Sequence, residues 1–172
     1  MTSIQMKSNL NGIKMIPTSE KNTYQKYFSK AVKLTVSKEP GCTYFYKVVE
    51  KGRANSTVKW KKLTGNVIKV AASDTAKRVY IRVVNENGTS VTRKTTGFYV
   101  DNRKPVVKGV MNKAVYTKPV KLRFSDNISV KAAMLNGKKV KNGRTVSKKG
   151  AYRLVVTDRA GNKKIIRFTI NK

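Results

Sequence analysis

Lys138, Lys139, Lys141 and Arg144, followed by Lys148 and Lys149, place six cations in one short segment with no acid among them. Each such group can neutralise one anionic group of a polymer and release its counterion, so a cluster this dense suits a polyanion. Lys59-Trp60-Lys61-Lys62 is a second constellation, an indole set among three lysines. An indole face stacks a sugar ring or a base while the neighbouring ammonium groups neutralise charge. The plainer reading of Trp60 is a core or edge aromatic. Lys163-Lys164 forms a third cationic pair, at the start of an apolar alternating run. The plainer reading of all these lysines is a solvated surface with charged edge strands.

Catalytic chemistry finds little support in the sequence. There is no histidine, so a serine or cysteine nucleophile lacks its usual base. A paired-carboxylate mechanism would have to draw on eight acids. In the second half the only two are Asp126 and Asp158, in Ser-Asp-Asn and Asp-Arg-Ala-Gly-Asn contexts that favour turns. With Asn127 and Asn162 they offer oxygens of the kind calcium takes, but a strongly cationic neighbourhood opposes a dication. No glycine-rich phosphate loop opens a helix. The lone Cys42 gives neither an internal disulfide nor a zinc spacing and reads as a buried structural thiol. The expectation is a non-enzyme, with no catalytic residue, metal or cofactor.

Charge strengthens the binding reading. The 172 residues carry 39 Lys or Arg against 8 Asp or Glu, a net +31. Residues 1–103 hold 20 basic and 6 acidic groups, and residues 104–172 hold 19 and 2. The second half is therefore the more cationic. Solubility needs far less charge, whereas attraction of polyanions over a Debye length of ~8 Å uses it. The cations are mostly single and interleaved with apolar residues, which places them on a folded surface rather than a disordered tail.

The elements that must carry these groups are strands. Val32-Lys33-Leu34-Thr35-Val36, Val120 to Phe124, Val79 to Val83, Tyr152 to Val156 and Ile166 to Ile170 alternate with period two. Lys121, Arg123, Arg153 and Arg167 fall on the solvent side of that alternation and form a basic stripe if they share one sheet face. Asn136-Gly137 between Ala133-Met134-Leu135 and Lys138-Lys139-Val140 predicts a tight hairpin of the primed type. Thr23 to Ala31, with Tyr24, Tyr27 and Phe28, reads as an irregular segment that packs its aromatics. Tyr44 and Tyr46 share a strand face and either pack inward or stack carbohydrate. No apolar stretch of ~18 residues exists, so no membrane span is expected. The opening segment lacks the features of a signal peptide, so the protein is either cytosolic or an excised piece of a secreted one.

The pattern recurs. Ala31 to Ser37 parallels Pro119 to Ser125, and Val79 to Thr89 parallels Tyr152 to Asn162. This predicts an all-β chain of two tandem β-sandwiches: residues 1–103, with 1–30 irregular or an extra strand, and residues 104–172. Pro105 makes the junction a short, stiff hinge.

Val79-Tyr80-Ile81-Arg82-Val83, Val100-Asp101-Asn102 with Pro105-Val106-Val107, Ser125-Asp126-Asn127, Leu135-Asn136-Gly137-Lys138 and Thr157-Asp158-Arg159-Ala160-Gly161-Asn162 resemble tandem bacterial immunoglobulin-like domains of Gram-positive surface and secreted proteins. The resemblance covers 104–172 nearly end to end and the first half from Ala31 onward. It implies an immunoglobulin-like fold and an extracellular or cell-surface origin. Such modules are commonly acidic or near neutral, and this chain departs from them. The expected function is therefore a non-catalytic surface module that binds an anionic polymer. Acidic cell-wall polymers, sulfated or sialylated glycans and nucleic acid are the candidate partners. The alternatives are a structural spacer of a larger adhesin or enzyme, and an intracellular nucleic-acid-binding protein.

Overall fold

The computed structural model describes residues 5–8, 12–21 and 23–172. The chain divides into two compact units, Met1–Asp101 and Asn102–Lys172. The first contains β1 (Gln5–Ser8), β2 (Met15–Pro17), β3 (Tyr24–Phe28), β4 (Val32–Ser37), β5 (Thr43–Glu50), β6 (Lys61–Lys62), β7 (Val67–Val70), β8 (Lys77–Val84), β9 (Ser90–Thr95) and β10 (Gly97–Val100). The second contains β11 (Val106–Lys108), β12 (Ala114–Tyr116), β13 (Val120–Lys121), β14 (Arg123–Ser125), β15 (Val130–Leu135), β16 (Lys138–Lys139), β17 (Thr145–Val146), β18 (Gly150–Asp158) and β19 (Lys163–Ile170). A 3₁₀ turn at Asn55–Thr57 is the only helical element among the described residues. The fold is all-β and immunoglobulin-like.

Unit 1 sets a small sheet, β1-β4-β7, against a larger one in which β5 and β9 flank β8. Its core is Val32, Leu34 and Val36 from the small sheet and Tyr44, Val79, Ile81, Val83 and Phe98 from the large one. Strict alternation explains this, because the intervening Lys33 and Thr35 are exposed. Tyr44 is fully buried and Tyr46 packs half-buried on the same core, so both tyrosines point inward.

Unit 2 pairs β11 with β14 and β13 with β17, and lays them over a five-stranded sheet ordered β12-β19-β18-β15-β16. Val120, Leu122, Leu154, Val156, Ile166, Phe168 and Ile170 fill the space between. Of the segments that repeat in the sequence, β4 is the centre of a three-stranded sheet in unit 1, whereas β13 and β14 belong to two separate two-stranded sheets in unit 2; β8 and β18 each lie inside the large sheet of their unit.

One expectation is corrected. Tyr24–Phe28 is a strand, because parallel pairing with β10 satisfies its backbone. Its aromatics do pack: Tyr27 stacks on Tyr99 at 4.6 Å, and Phe28 meets Phe98 edge-on at 6.1 Å. Residues 1–4, 9–11 and 22 of the segment read as irregular or as an extra strand lie outside the described residues.

Candidate polyanion-binding surface

Asn136 and Gly137 both adopt positive φ, 46° and 79°, as a primed hairpin turn requires. The turn folds β16 back along β15, with Lys138 opposite Leu135 and Lys139 opposite Met134. The chain then bends at 141–144 and is fastened to the small sheet. The Leu122 N–H donates to the Arg144 carbonyl at 2.8 Å, and the Gly143 N–H donates to the Leu122 carbonyl at 2.8 Å. The Phe124 N–H donates to Asn142 Oδ1 at 2.9 Å. Gly143, at φ 85°, lies in the left-handed region that side chains disfavour.

This fastening creates a groove of about 850 Å³ walled by Lys138, Lys139, Lys141 and Arg144, over the apolar Leu135 and Val140. Asn142 and Gly143 also border a second hollow of about 380 Å³, walled by Lys108, Lys121 and Arg123. Seven cations thus line these two hollows, which share Asn142 and Gly143, and no carboxylate does. Both acids of unit 2 serve turns instead. Asp126 Oδ2 accepts from the Ile128 and Ser129 N–H groups at 3.0 and 2.9 Å. Asp158 accepts from the Asn162 backbone N–H and from its Nδ2, both at 2.8 Å.

Other candidates fall elsewhere. Lys148 and Lys149 are exposed before β18, and the Tyr152 hydroxyl donates to the Lys148 carbonyl at 2.8 Å. Lys163 and Lys164 open β19, opposite Thr157 and Val156, at the far end of that strand pair. None of these four lines the groove. The imagined stripe of Lys121, Arg123, Arg153 and Arg167 is also corrected. The first two face outward from the small sheet of unit 2, and the other two from its large sheet. Two layers share one core, so their solvent faces point apart. Lys108 escaped the sequence reading because its strand is only three residues long.

In unit 1, Lys59, Lys61 and Lys62 are exposed and Trp60 is half-buried. The indole lies over cations of its own sheet, with Lys47 Nζ 4.7 Å and the Arg82 guanidinium 4.4 Å from its centroid. Lys47 is only 6% exposed, and its ammonium donates to the Asn55 carbonyl at 2.8 Å. Burial lowers its pKa from the ordinary lysine value, and the Arg82 charge adds to this. Lys94, 5% exposed, donates to the Thr18 and Glu20 carbonyls at 2.8 and 2.6 Å. Burial and then Arg78 lower its pKa, while Glu20 opposes them. These two lysines flank Tyr80 across β5, β8 and β9. The period-two pattern could have marked their outward direction but not the loops that cover them. Cys42 is half-buried against the unit 1 core.

No family model matches the chain, and no curated protein matches it. Solved structures with similarity to it include murine CEACAM1b, at 14% identity over 86% of this chain and 96% of that one, with a TM-score of 0.40. The fibronectin(III)-like modules of CbhA from Clostridium thermocellum match at 10% identity over 91% and 93%, with a TM-score of 0.38. SGBP-B of Bacteroides ovatus, solved with a mixed-linkage heptasaccharide, matches at 14% identity over 95% of this chain and 48% of that one, with a TM-score of 0.34. The chain spans about half of that last protein. No helix among the described residues is long and apolar enough to cross a membrane.

Proposed function

We propose that this chain is a non-catalytic, extracellular immunoglobulin-like module of a bacterial surface or secreted protein. On this reading it binds an anionic cell-surface polymer, either an acidic cell-wall polymer or an acidic glycan, through unit 2. The bacterial and extracellular parts rest on the motif resemblance. The binding part rests on one observation, the two adjoining hollows lined by seven cations with no acid in their walls. A concave, uniformly positive surface focuses potential on an approaching polyanion and gains counterion release on contact. Lys148, Lys149, Lys163 and Lys164 then steer the ligand from a distance, and Lys59, Lys61 and Lys62 do the same from unit 1.

Heparin-affinity retention across a salt gradient tests the reading. Several ion contacts give a steep salt dependence, so elution well above ~0.15 M is expected. Replacing Lys138, Lys139, Lys141 and Arg144 with Glu lowers affinity on the order of a hundredfold or more at physiological salt. Elution of the unaltered chain at or below ~0.15 M overturns the proposal.

A further inference from the structure

The solvent face of the five-stranded sheet in unit 2 carries a second cationic feature, built differently from the groove. Arg153 and Arg167 sit directly opposite one another on β18 and β19. Directly opposed side chains start only ~4.5–5.5 Å apart, and like charges in that position destabilise a sheet. Among the described residues, neither guanidinium has a carboxylate partner. Ala114 and Ala151 leave a depression of about 280 Å³ around the pair, and Lys113 forms its rim.

Lys113 adopts φ 65°, an unfavourable left-handed conformation for a residue with a side chain. Its N–H donates to the Arg167 carbonyl at 2.6 Å, and the Asn112 side-chain oxygen accepts from the Arg167 N–H at 2.9 Å. The 112–113 turn is thus bound to the Arg167 backbone. On the other side, Asn136 Oδ1 accepts from the Arg153 N–H at 2.7 Å and Asn136 Nδ2 donates to the Ala151 carbonyl at 3.1 Å. Lys113 and Asn136 are the only non-glycine residues with positive φ among those described, and both border this one depression. Turns account for both: Asn136 by its Asn-Gly sequence, and Lys113 as the third residue of a turn closed by the Ala114 N–H donating to the Met111 carbonyl at 3.4 Å.

We propose that Lys113, Arg153 and Arg167 form a seat for one tetrahedral oxyanion, a sulfate or phosphate ester carried on the acidic polymer. The inference rests on the polymer-binding reading above and adds a discrete recognition point to it. Two planar guanidinium forks fit the oxygens of such a group, and the ammonium completes the charge. The volume lies below the ~300 Å³ at which pockets for drug-sized ligands begin, so it takes one substituent rather than a whole oligosaccharide. The seat lies on the same sheet as Lys139, with β15 between β16 and β18. Two strand spacings put Lys139 roughly 10 Å from the strand of Arg153, and a third separates it from that of Arg167, within reach of one polymer chain leaving the groove.

Backbone-amide NMR of the full chain, titrated separately with a heparin tetrasaccharide and a glycerol-phosphate oligomer, tests this. Expected are shifts of Lys113, Arg153, Arg167 and Thr169 with at least one probe, in addition to those around 138–144; the responding probe identifies the ester. R153S/R167S abolishes the first set, keeps the second, and weakens binding of long heparin chains on the order of tenfold. Shifts confined to 138–144 with both probes overturn the seat and leave the groove intact. No shift in either region overturns both.

Discussion

Two sets of outward-facing cations are handled in opposite ways. In the large sheet of unit 1, Lys47 lies under Trp60 and donates to the Asn55 carbonyl, and Lys94 lies under the 18–20 turn and donates to the Thr18 and Glu20 carbonyls. Unit 2 leaves Lys108 exposed directly opposite Arg123 and Arg153 directly opposite Arg167, as unit 1 itself does with Lys33 opposite Lys69 in its small sheet. A covered ammonium has its hydrogen bonds filled and its hydration already lost, so it has little to offer a ligand. Open, mutually repelling cations keep their hydration and gain when an anion arrives. The same charge therefore contributes structure where it is covered and binding capacity where it is open.

Replacing Gly109 should disturb that contrast most. It lies beside Lys108 at φ 87°, and a Cβ there would collide with the Lys121 carbonyl oxygen. Gly109→Ala is expected to destabilise unit 2 by about 2–4 kcal/mol and to weaken heparin retention with it. Thermal unfolding together with the heparin column checks this; an unchanged midpoint would show that the small sheet does not need that close approach.

Trp60→Ala sharpens the contrast from the other side. Loss of two cation–π contacts and of the cover over Lys47 should cost about 1–2 kcal/mol, with little loss of heparin affinity. A large affinity loss at unchanged stability would instead make Trp60 a ligand-stacking residue.

A smaller effect concerns pH. Lys47 and Lys94 have folded-state pKa values below 10.5, so the unfolded chain binds more protons between the lowered values and 10.5. Their contribution to stability therefore rises with pH across that window and is absent below it. The unfolding midpoint should climb on going from neutral toward pH 10, and Lys47→Met should flatten the climb. A midpoint that climbs equally in the variant would assign the effect to general charge repulsion.

Strands and turns were legible because period-two alternation and Asn-Gly pairs act locally. Val32, Leu34 and Val36 announce their inward face without knowledge of their partners. The groove was half legible. Lys138, Lys139, Lys141 and Arg144 are near neighbours in sequence, but Lys108, Lys121 and Arg123 come beside them only through hydrogen bonds of Leu122 and Phe124 to the 141–144 bend. Alternation placed Arg153 and Arg167 in solvent but could not say which layer they share. Tyr24–Phe28 was misread because its strand is specified by a parallel partner some seventy residues away rather than by its own pattern.

Parallel pairing has a mechanical consequence. In each unit a strand near the beginning, β3 or β12, runs alongside the final strand, β10 or β19, in the same direction. Tension that reaches such a pair from its opposite ends drags the two strands lengthwise past each other, loading their hydrogen bonds together rather than peeling them one by one. Shear of this kind resists rupture more strongly than peeling does.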